Sequence, residues 1–439
     1  MARSNKLVSA NGLSRRNLLG SGSLLALGLL AGSASGLHAE EITIDAPLRG
    51  DTTADTPAAP VAVAVIGLGE QGRNLLSSLQ YVKGANVAYV CDKYEGAHKK
   101  ALALHPKAKA VSDYKTVLDD KSVQAVFVAT PTHQHKQVVL DALQAGKHVY
   151  CEAPLAHTVE EAREIAKAGQ AASPKVIFHA GLQERTNPQH HHVAKFVETG
   201  ALATVAQTKA TWHRKNSWRR SAPSDDRQNE LNWRLDKAVS GGLPAEVGIH
   251  QFDTANWFLA GLPKSVMGFG SVAAWRDGRQ VPDTVQCIFE YDNGVHLAFD
   301  ATLANSYDGA YELFQGTESA ILLREGRAWM FKEPDAKALG WEVYAFKEQV
   351  GDDTGIALVA NASKLLADGK EPAKYRETDP VKGTYYHACE AFLNAVRDGK
   401  PVGNCGPLEG FTATVTALKA NEAVMNGTKI VYTKEMFTL

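Results

Sequence analysis

Apolar positions change their spacing along this chain, and each change predicts a different kind of structure. Val61 to Ile66 is an unbroken, mostly β-branched apolar run, the pattern of a strand buried on both faces. Past Gly72 the spacing turns helical, and a second apolar strand follows from Asn86 to Cys91. The alternation continues with a helix from Tyr94 to about His105, a strand near Ala108 to Val111, a short helix around Tyr114 to Leu118 and a buried strand from Val123 to Ala129. A helix to Ala145, the strand His148 to Cys151, the amphipathic helix Thr158 to Ala172 and a strand Val176 to Ala180 complete the series. Such alternation predicts a parallel sheet with right-handed crossovers.

The second half follows another rule. Val205 to Trp212, Val266 to Ala273, Thr284 to Tyr291, Val295 to Thr302, Tyr311 to Gln315, Ala320 to Leu323 and Trp341 to Phe346 read as successive strands. Short turns such as Asp292-Asn293-Gly294 join them, so the sheet is antiparallel and open on one face. Helices recur at Ala245 to Phe258, at about Tyr385 to Val396 and at Pro407 to Met425, the last expected to pack back on the first half. No internal repeat interrupts this order.

Where the first strand gives way to a helix stand Gly67, Gly69 and Gly72, in G-x-G-x-x-G spacing. A turn this tight needs unusual φ, a pyrophosphate needs backbone with no Cβ in its path, and the helix must pack closely on the strand. The free N–H groups of the helix start then face the phosphates. Asp92 closes the second strand about 20 residues on, where a carboxylate accepts hydrogen bonds from the adenosine ribose. The fold class is therefore α/β: an N-terminal Rossmann dinucleotide-binding domain, then an α+β domain with a large, mostly antiparallel open sheet. Asp92 favours NAD because it repels a 2′-phosphate; Arg73 and Lys93 leave NADP possible. Thr130-Pro131-Thr132-His133-Gln134-His135 follows the fourth strand, where ligands sit in open α/β sheets.

Composition narrows the function classes. The 439 residues carry a net charge of −1, with 44% hydrophobic and 22% charged positions, which leaves no basic stripe for nucleic acid. Five widely spaced cysteines without C-x-x-C read as reduced core thiols rather than a disulfide frame or zinc site. Ser14-Arg15-Arg16-Asn17-Leu18-Leu19 precedes an apolar run, Leu24 to Leu30, too short to span a bilayer, and then small residues Ala31 to Gly36. This looks like a twin-arginine signal, which exports proteins already folded. The expected organisation is a signal over 1–40, a Thr/Ala/Pro-rich linker over 41–60, the Rossmann domain over 61–182 and the α+β domain over 183–439. The location is then periplasmic, with no stable membrane span after cleavage. Away from the cytoplasmic pool, a nicotinamide cofactor must be loaded before export, stay bound and be regenerated in place.

The motifs resemble the Gfo/Idh/MocA oxidoreductase family over essentially the whole exported portion. The carriers are the GLGEQG loop, Ala129-Thr130-Pro131 with His135, Cys151-Glu152-Ala153-Pro154-Leu155-Ala156, Gly181-Leu182-Gln183-Glu184-Arg185 and the segment Gly241 to Asp253. The resemblance implies sugar, polyol or sugar-acid substrates and a homo-oligomer through the C-terminal sheet. It implies cofactor contacts at Gly67, Gly69, Glu70, Gln71, Gly72, Asp92, Thr130, Pro131, His135 and Glu152. The family's Glu-Lys-Pro motif falls on Glu152-Ala153-Pro154, so its usual acid/base lysine is here an alanine. Its Asp-x-x-x-His pair falls on Glu246 and His250.

Hydride transfer from a carbinol carbon needs a base for the hydroxyl proton. Glu246 and His250 stand four apart on a predicted helix, so the carboxylate is expected to orient the imidazole, and His250 is the candidate base. The plain alternatives are a first-turn acid beside Pro244 and a core histidine. His135 either touches the nicotinamide end or caps the next helix. His190-His191-His192 cannot converge on one ion, since successive helical positions diverge, so a solvated helix face is expected and no metal. Trp212, His213, Trp233 and Arg234, in an irregular stretch rich in Trp and Arg, are the substrate-recognition candidates, since flat rings stack on sugar C–H surfaces and Arg forks bond oxygens. Arg185 and Tyr307 join them as substrate candidates; packing by a long crossover is the bland alternative for the loop. Three functions remain open. The first is a sugar oxidoreductase with retained NAD(H). The second is a redox-neutral NAD-dependent glycoside hydrolase. The third is a non-catalytic carbohydrate-binding protein.

Overall fold

The computed structural model describes residues 59–338, 340, 342, 345–360, 362–367, 369–371 and 383–439. The expected signal and nearly all of the linker lie outside them. The first sheet comprises β1 (Val61–Ile66), β2 (Ala85–Cys91), β3 (Lys109–Val111), β4 (Ala125–Val128), β5 (His148–Glu152) and β6 (Phe178–Gly181). They run in the order β3-β2-β1-β4-β5-β6, every pair parallel. The order reverses between β1 and β4, and the crevice at their carboxyl ends is where such sheets bind ligands. Helices α1 (Glu70–Leu79), α2 (His98–Leu104), α3 (Tyr114–Asp119), α4 (His135–Gln144) and α5 (Val159–Ala172) form the crossovers. Thr158 caps α5 by accepting from the Glu161 N–H at 3.2 Å, which contributes about 1 kcal/mol.

The second half opens with α6 (Pro188–Glu198), β7 (Val205–His213), α7 (Asp225–Leu231), a π turn at Pro244–Gly248 and α8 (Ile249–Phe258). Strands β8 (Pro263–Ser271), β9 (Thr284–Tyr291), β10 (His296–Thr302), β11 (Ala310–Gly316), β12 (Ser319–Arg324), β13 (Arg327–Lys332), β14 (Lys347–Val350) and β15 (Asp353–Leu358) follow. Then come α9 (Ala362–Ala367), α10 (Thr384–Asp398), α11 (Pro407–Asn426) and β16 (Ile430–Val431). The ten strands from β7 to β16 form one sheet, antiparallel except where β7 runs parallel to β10. Sequence reading missed β13, β15 and the short β16. It placed a strand over Trp341–Phe346, where residues 341, 343 and 344 lie outside the described ones and the described neighbours are turn; the strand starts at Lys347. A signal for β13 was present: Glu325 and Gly326 both take positive φ, 53° and 72°, the requirement of a tight hairpin turn.

One face of the large sheet is sealed. Phe289 and Phe299 are buried there, packing on Phe252 of α8 at ring separations of 4.6 and 4.7 Å. The opposite face leaves Met267, Phe269 and Ile288 exposed. The two closing helices do different jobs. Helix α10, expected to belong with the second half, completes the core of the first: Phe392 packs edge-on to Phe127 at 5.2 Å. Helix α11 lies between α5 and β8, as expected, and its Thr414 hydroxyl accepts from the Leu155 N–H at 3.0 Å. Both halves therefore share one continuous core, which fixes the crevice between them. All five cysteines are buried and free, as the spacing predicted.

Candidate active site

The cofactor half of the site is written in three glycines with three separate jobs. Gly67 has φ +93°, and a Cβ there would lie 2.5 Å from the Ala129 carbonyl oxygen. A Cβ on Gly72 would lie 1.9 Å from the Gly67 oxygen, so closeness of α1 to the turn forbids it. Gly69 differs: a Cβ there would meet nothing within 4 Å. It faces open cleft, the space a pyrophosphate needs. Asp92 is held by the N–H groups of Leu68 and Tyr94, each at 2.8 Å, which leaves lone pairs on both oxygens for ribose hydroxyls. The Arg73 guanidinium donates to the Leu68 carbonyl oxygen at 2.7 Å.

Gly67, Gly69, Arg73 and Asp92 line a cleft of about 1110 Å³ together with Glu152, Trp212, Trp233 and His250, while Gly72 lies behind it against the Gly67 turn. Glu70, Gln71, Thr130, Pro131 and Arg234 line it too. Glu152 is 5% exposed; its Oε2 accepts from Gln183 at 3.1 Å, while Oε1 finds no partner in the protein. Burial pushes its carboxyl up to about 7, opposed by hydrogen bonding from Gln71, the Ala153 amide and Gln183. Thr130 Oγ1 and His250 Nδ1 are likewise buried without a protein partner. Unpaired polar atoms around one cleft cost stability unless a ligand or water satisfies them, so this set fits a dinucleotide with a polar substrate. His135 does not serve as expected. Its ring nitrogens lie 2.9 Å from the Thr130 oxygen and 3.1 Å from the Pro154 oxygen, and burial holds it down to about 4. In its neutral form it can donate to one of these two carbonyl oxygens, and its buried ring sits between the Thr130 and Pro154 backbone.

Across the cleft the expected Glu246–His250 dyad does not form. The turn carrying Glu246 is π rather than α, and its carboxylate serves Gly241 N–H at 3.3 Å, the Thr132 hydroxyl at 3.4 Å and Arg234 Nε at 3.4 Å. Glu246 thus ties the second half to the first. Burial lowers the His250 imidazole's affinity for a proton, opposed by the charges of Glu184 and Asp253. Arg185, expected to meet substrate, is committed elsewhere: its Nε and Nη2 hold Asp253 at 2.7 and 2.9 Å, and Nη1 donates to the Asn404 oxygen at 3.1 Å. It anchors α8, and so His250, from behind.

The pleat of β7 sorts the remaining candidates. Trp212 and Arg214 line the cleft, and His213 between them points to the other face, where its ring nitrogens engage Asp300 and the Tyr307 oxygen. Tyr307 is 84% exposed and outside the cleft. Neither lines the cleft, contrary to expectation. Arg234 stands over the Trp233 ring at 4.5 Å and the Trp218 ring at 5.8 Å, making a flat aromatic and cationic wall. The same segment reaches the cofactor loop, where Arg220 pairs with Glu70 at 2.7 Å and Arg227 stacks on Tyr94 at 4.7 Å. The three adjacent histidines diverge as expected but are not a solvated face: His190 packs near Phe258, His191 on Trp257 and His192 on Phe196. Among the described residues no group of three or more ligating side chains is placed to hold a metal.

Sequence reading overlooked Glu184 and Glu312, which also line the cleft. Burial and the charge of Glu184 push Glu312 up to about 8. One signal existed, since Glu312 falls in phase with the buried Phe314, placing a carboxyl on an inward face of its strand.

Residues 61–180 match the model described as oxidoreductase family, NAD-binding Rossmann fold, and residues 190–321 match the GFO/IDH/MocA C-terminal domain. The chain belongs to the Gfo/Idh/MocA oxidoreductase family. An uncharacterized oxidoreductase of Streptococcus pneumoniae is 26% identical to it over 368 residues, 83% of this chain and 94% of the relative. The scyllo-inositol 2-dehydrogenase (NAD⁺) of Bacillus subtilis is 26% identical over 350 residues, 78% and 96% of the two chains. In fold, the structure is similar to a levoglucosan dehydrogenase complexed with NADH and levoglucosan, at TM-score 0.67 and 19% identity, covering 85% of this chain and 99% of that one. As a member of the Gfo/Idh/MocA family the chain is an oxidoreductase with an NAD-binding Rossmann domain. Ala153 and His250 both line the cleft.

Proposed function

We propose that this protein oxidises a hydroxyl group on a sugar or related polyol, with His250 as the base and a tightly retained NAD(H). The observation that carries the reading is the buried, unpartnered His250 Nδ1 in the cleft that also holds the Gly67 turn and Glu152. Bound NAD⁺ supplies the hydride acceptor. Because burial keeps the imidazole neutral at pH 7, it is ready to accept the hydroxyl proton. Glu152 Oε1 would accept from the nicotinamide ribose, and Asp92 from the adenosine ribose. The Trp212 and Trp233 rings and the Arg234 guanidinium would seat the sugar's C–H faces and oxygens.

The reading extends beyond the cleft. Residues 1–40 would direct export of the folded protein, so the dinucleotide would travel inside it. A second copy is expected on the outer face of the large sheet, where Met267, Phe269 and Ile288 are exposed. The decisive experiment purifies the exported protein, releases and identifies its dinucleotide, and follows bound-nicotinamide absorbance against sugars, inositols and glycosides. Reduction in the wild type and its loss in His250→Gln is the expected result. Full reduction in His250→Gln removes the base, and ligand binding without any absorbance change in the wild type favours a non-catalytic protein.

A further inference from the structure

Every oxidation would leave one proton on His250, in a cleft then filled by cofactor and substrate. We propose that Glu184 and Glu312 form the route by which this proton reaches solvent, through a side cavity that opens from the cleft wall. The inference rests on the reading of His250 as the base.

The geometry comes first. A second cavity of about 160 Å³ shares Glu184, Ala310, Glu312 and Thr384 with the cleft. That is room for several water molecules in a polar setting. It extends to Glu325 and Gly326, the exposed turn between β12 and β13. The two carboxyl groups therefore stand in the wall between the reacting space and an exit to the surface.

The charges around them suit the task. Of the two carboxylates acting on His250, Asp253 is bound on both oxygens by Arg185, and Glu184 is the other. Glu184 accepts from Asn187 at 3.0 Å and has His190 Nδ1 at 3.1 Å. Glu312 has no salt-bridge partner among the described residues, and its electrostatic neighbour is Glu184. On the cavity side Arg324 is paired with Asp308 and Arg327 with Glu348, while Glu325 adds a further negative charge. Glu184 and Glu312 line the same wall, and the negative charge of Glu184 disfavours ionisation of Glu312, opposed by hydrogen bonding from Gln251. Burial and Glu184 together keep Glu312 as the protonated member at neutral pH.

The transfer balances without any electron moving. The imidazolium N–H bond breaks and an O–H bond forms on Glu184; the pair, now holding two protons, releases one to water in the side cavity. His250 returns to its neutral form and the pair to its single proton.

Two measurements on the purified full chain test this. Difference infrared spectra, wild type minus Glu312→Gln, are expected to show a protonated-carboxyl band that titrates near pH 8. Glu184→Gln should move that midpoint to lower pH. A band lost in the ordinary carboxylate range overturns the proposal. In the kinetic arm, scyllo-inositol and levoglucosan are the probes, with a soluble two-electron acceptor reoxidising the retained NADH between turnovers. Glu312→Gln should lower steady-state turnover at least about ten-fold, with partial rescue by imidazole buffer, a small diffusible base that can take the proton in place of the pair. A loss without buffer rescue, or no loss, overturns it. Wild-type hydride transfer in His250→Gln would instead strike the base assignment, and the infrared titration would still decide whether the pair holds the proton.

Discussion

Glu152, buried on the cleft wall, keeps one carboxylate oxygen on Gln183 and the other without a hydrogen-bond partner. Its proton affinity is raised, from 4.5 to about 7, so between those values the native state holds a proton that the unfolded chain has released. Stability must then fall as pH rises through that window, by on the order of 3 kcal/mol for this group alone. Glu152→Gln is expected to flatten the decline between pH 5 and pH 8 in cofactor-free protein, read from urea midpoints; an unchanged slope refutes the burial account. The glycines allow a sharper contrast. Gly69→Ala should leave the thermal midpoint unchanged yet weaken dinucleotide binding at least about ten-fold, because its new methyl group meets ligand space alone. Gly67→Ala, which meets backbone at 2.5 Å with φ +93°, should instead destabilise the fold itself. Equal stability losses in the two variants would show that the loop is not divided in this way.

Helix α8 gains its position from a contact that sequence spacing hides. Arg185, from the short turn after β6, binds Asp253 bidentately, three residues beyond His250. Removing one partner strands a buried charge, so Arg185→Ala is expected to cost about 3–5 kcal/mol in denaturant unfolding. A substrate-binding arginine would instead raise KM with stability intact. Helix α11 is held as tightly. A Cβ on Gly410 would lie 2.7 Å from the Ala180 Cβ and 3.1 Å from the Leu155 side chain, so this face seats directly on the first sheet. Gly410→Val should therefore lower the unfolding midpoint, and a neutral outcome in calorimetry would mean the helix seats more loosely than this. The stretch carrying Trp218, Arg220, Arg227, Trp233 and Arg234 is anchored by the buried Trp233 and Leu235. Its reach to Glu70 and Tyr94 depends on exposed charge and ring contacts, which suits a wall that must admit ligand.

For the molecule as a whole, one continuous core joins the halves, and the cleft is the gap that core leaves at the carboxyl ends of β1 and β4. The proposed retention of the cofactor is tested through export. Replacing both Arg15 and Arg16 by Lys is expected to hold the protein in the cytoplasm, checked by cell fractionation; undiminished export would remove the case for retention. The exposed face around Phe269 supplies the other test at this size. Phe269→Glu should lower the mass found by sedimentation if a second copy covers that face, and an unchanged mass would argue against it.

The chain order alone disclosed the alternating first sheet, the antiparallel second one, the glycine turn with Asp92 and the place of His250 on the cleft wall. These features are legible because they depend on local rules: a two- or 3.6-residue period, a φ that only glycine tolerates, a motif with fixed internal spacing. The partners of the charged groups were not legible. Glu246 turned from His250 to Thr132 and Arg234, Arg185 turned from substrate to Asp253, and His135 closed on two backbone oxygens. His213 and Tyr307 fell outside the cleft through strand parity and exposure, while Glu184 and Glu312 came into it from separate elements. A buried charge takes whichever partner packing brings near. That choice is made between segments far apart in the chain, where no local period reports it.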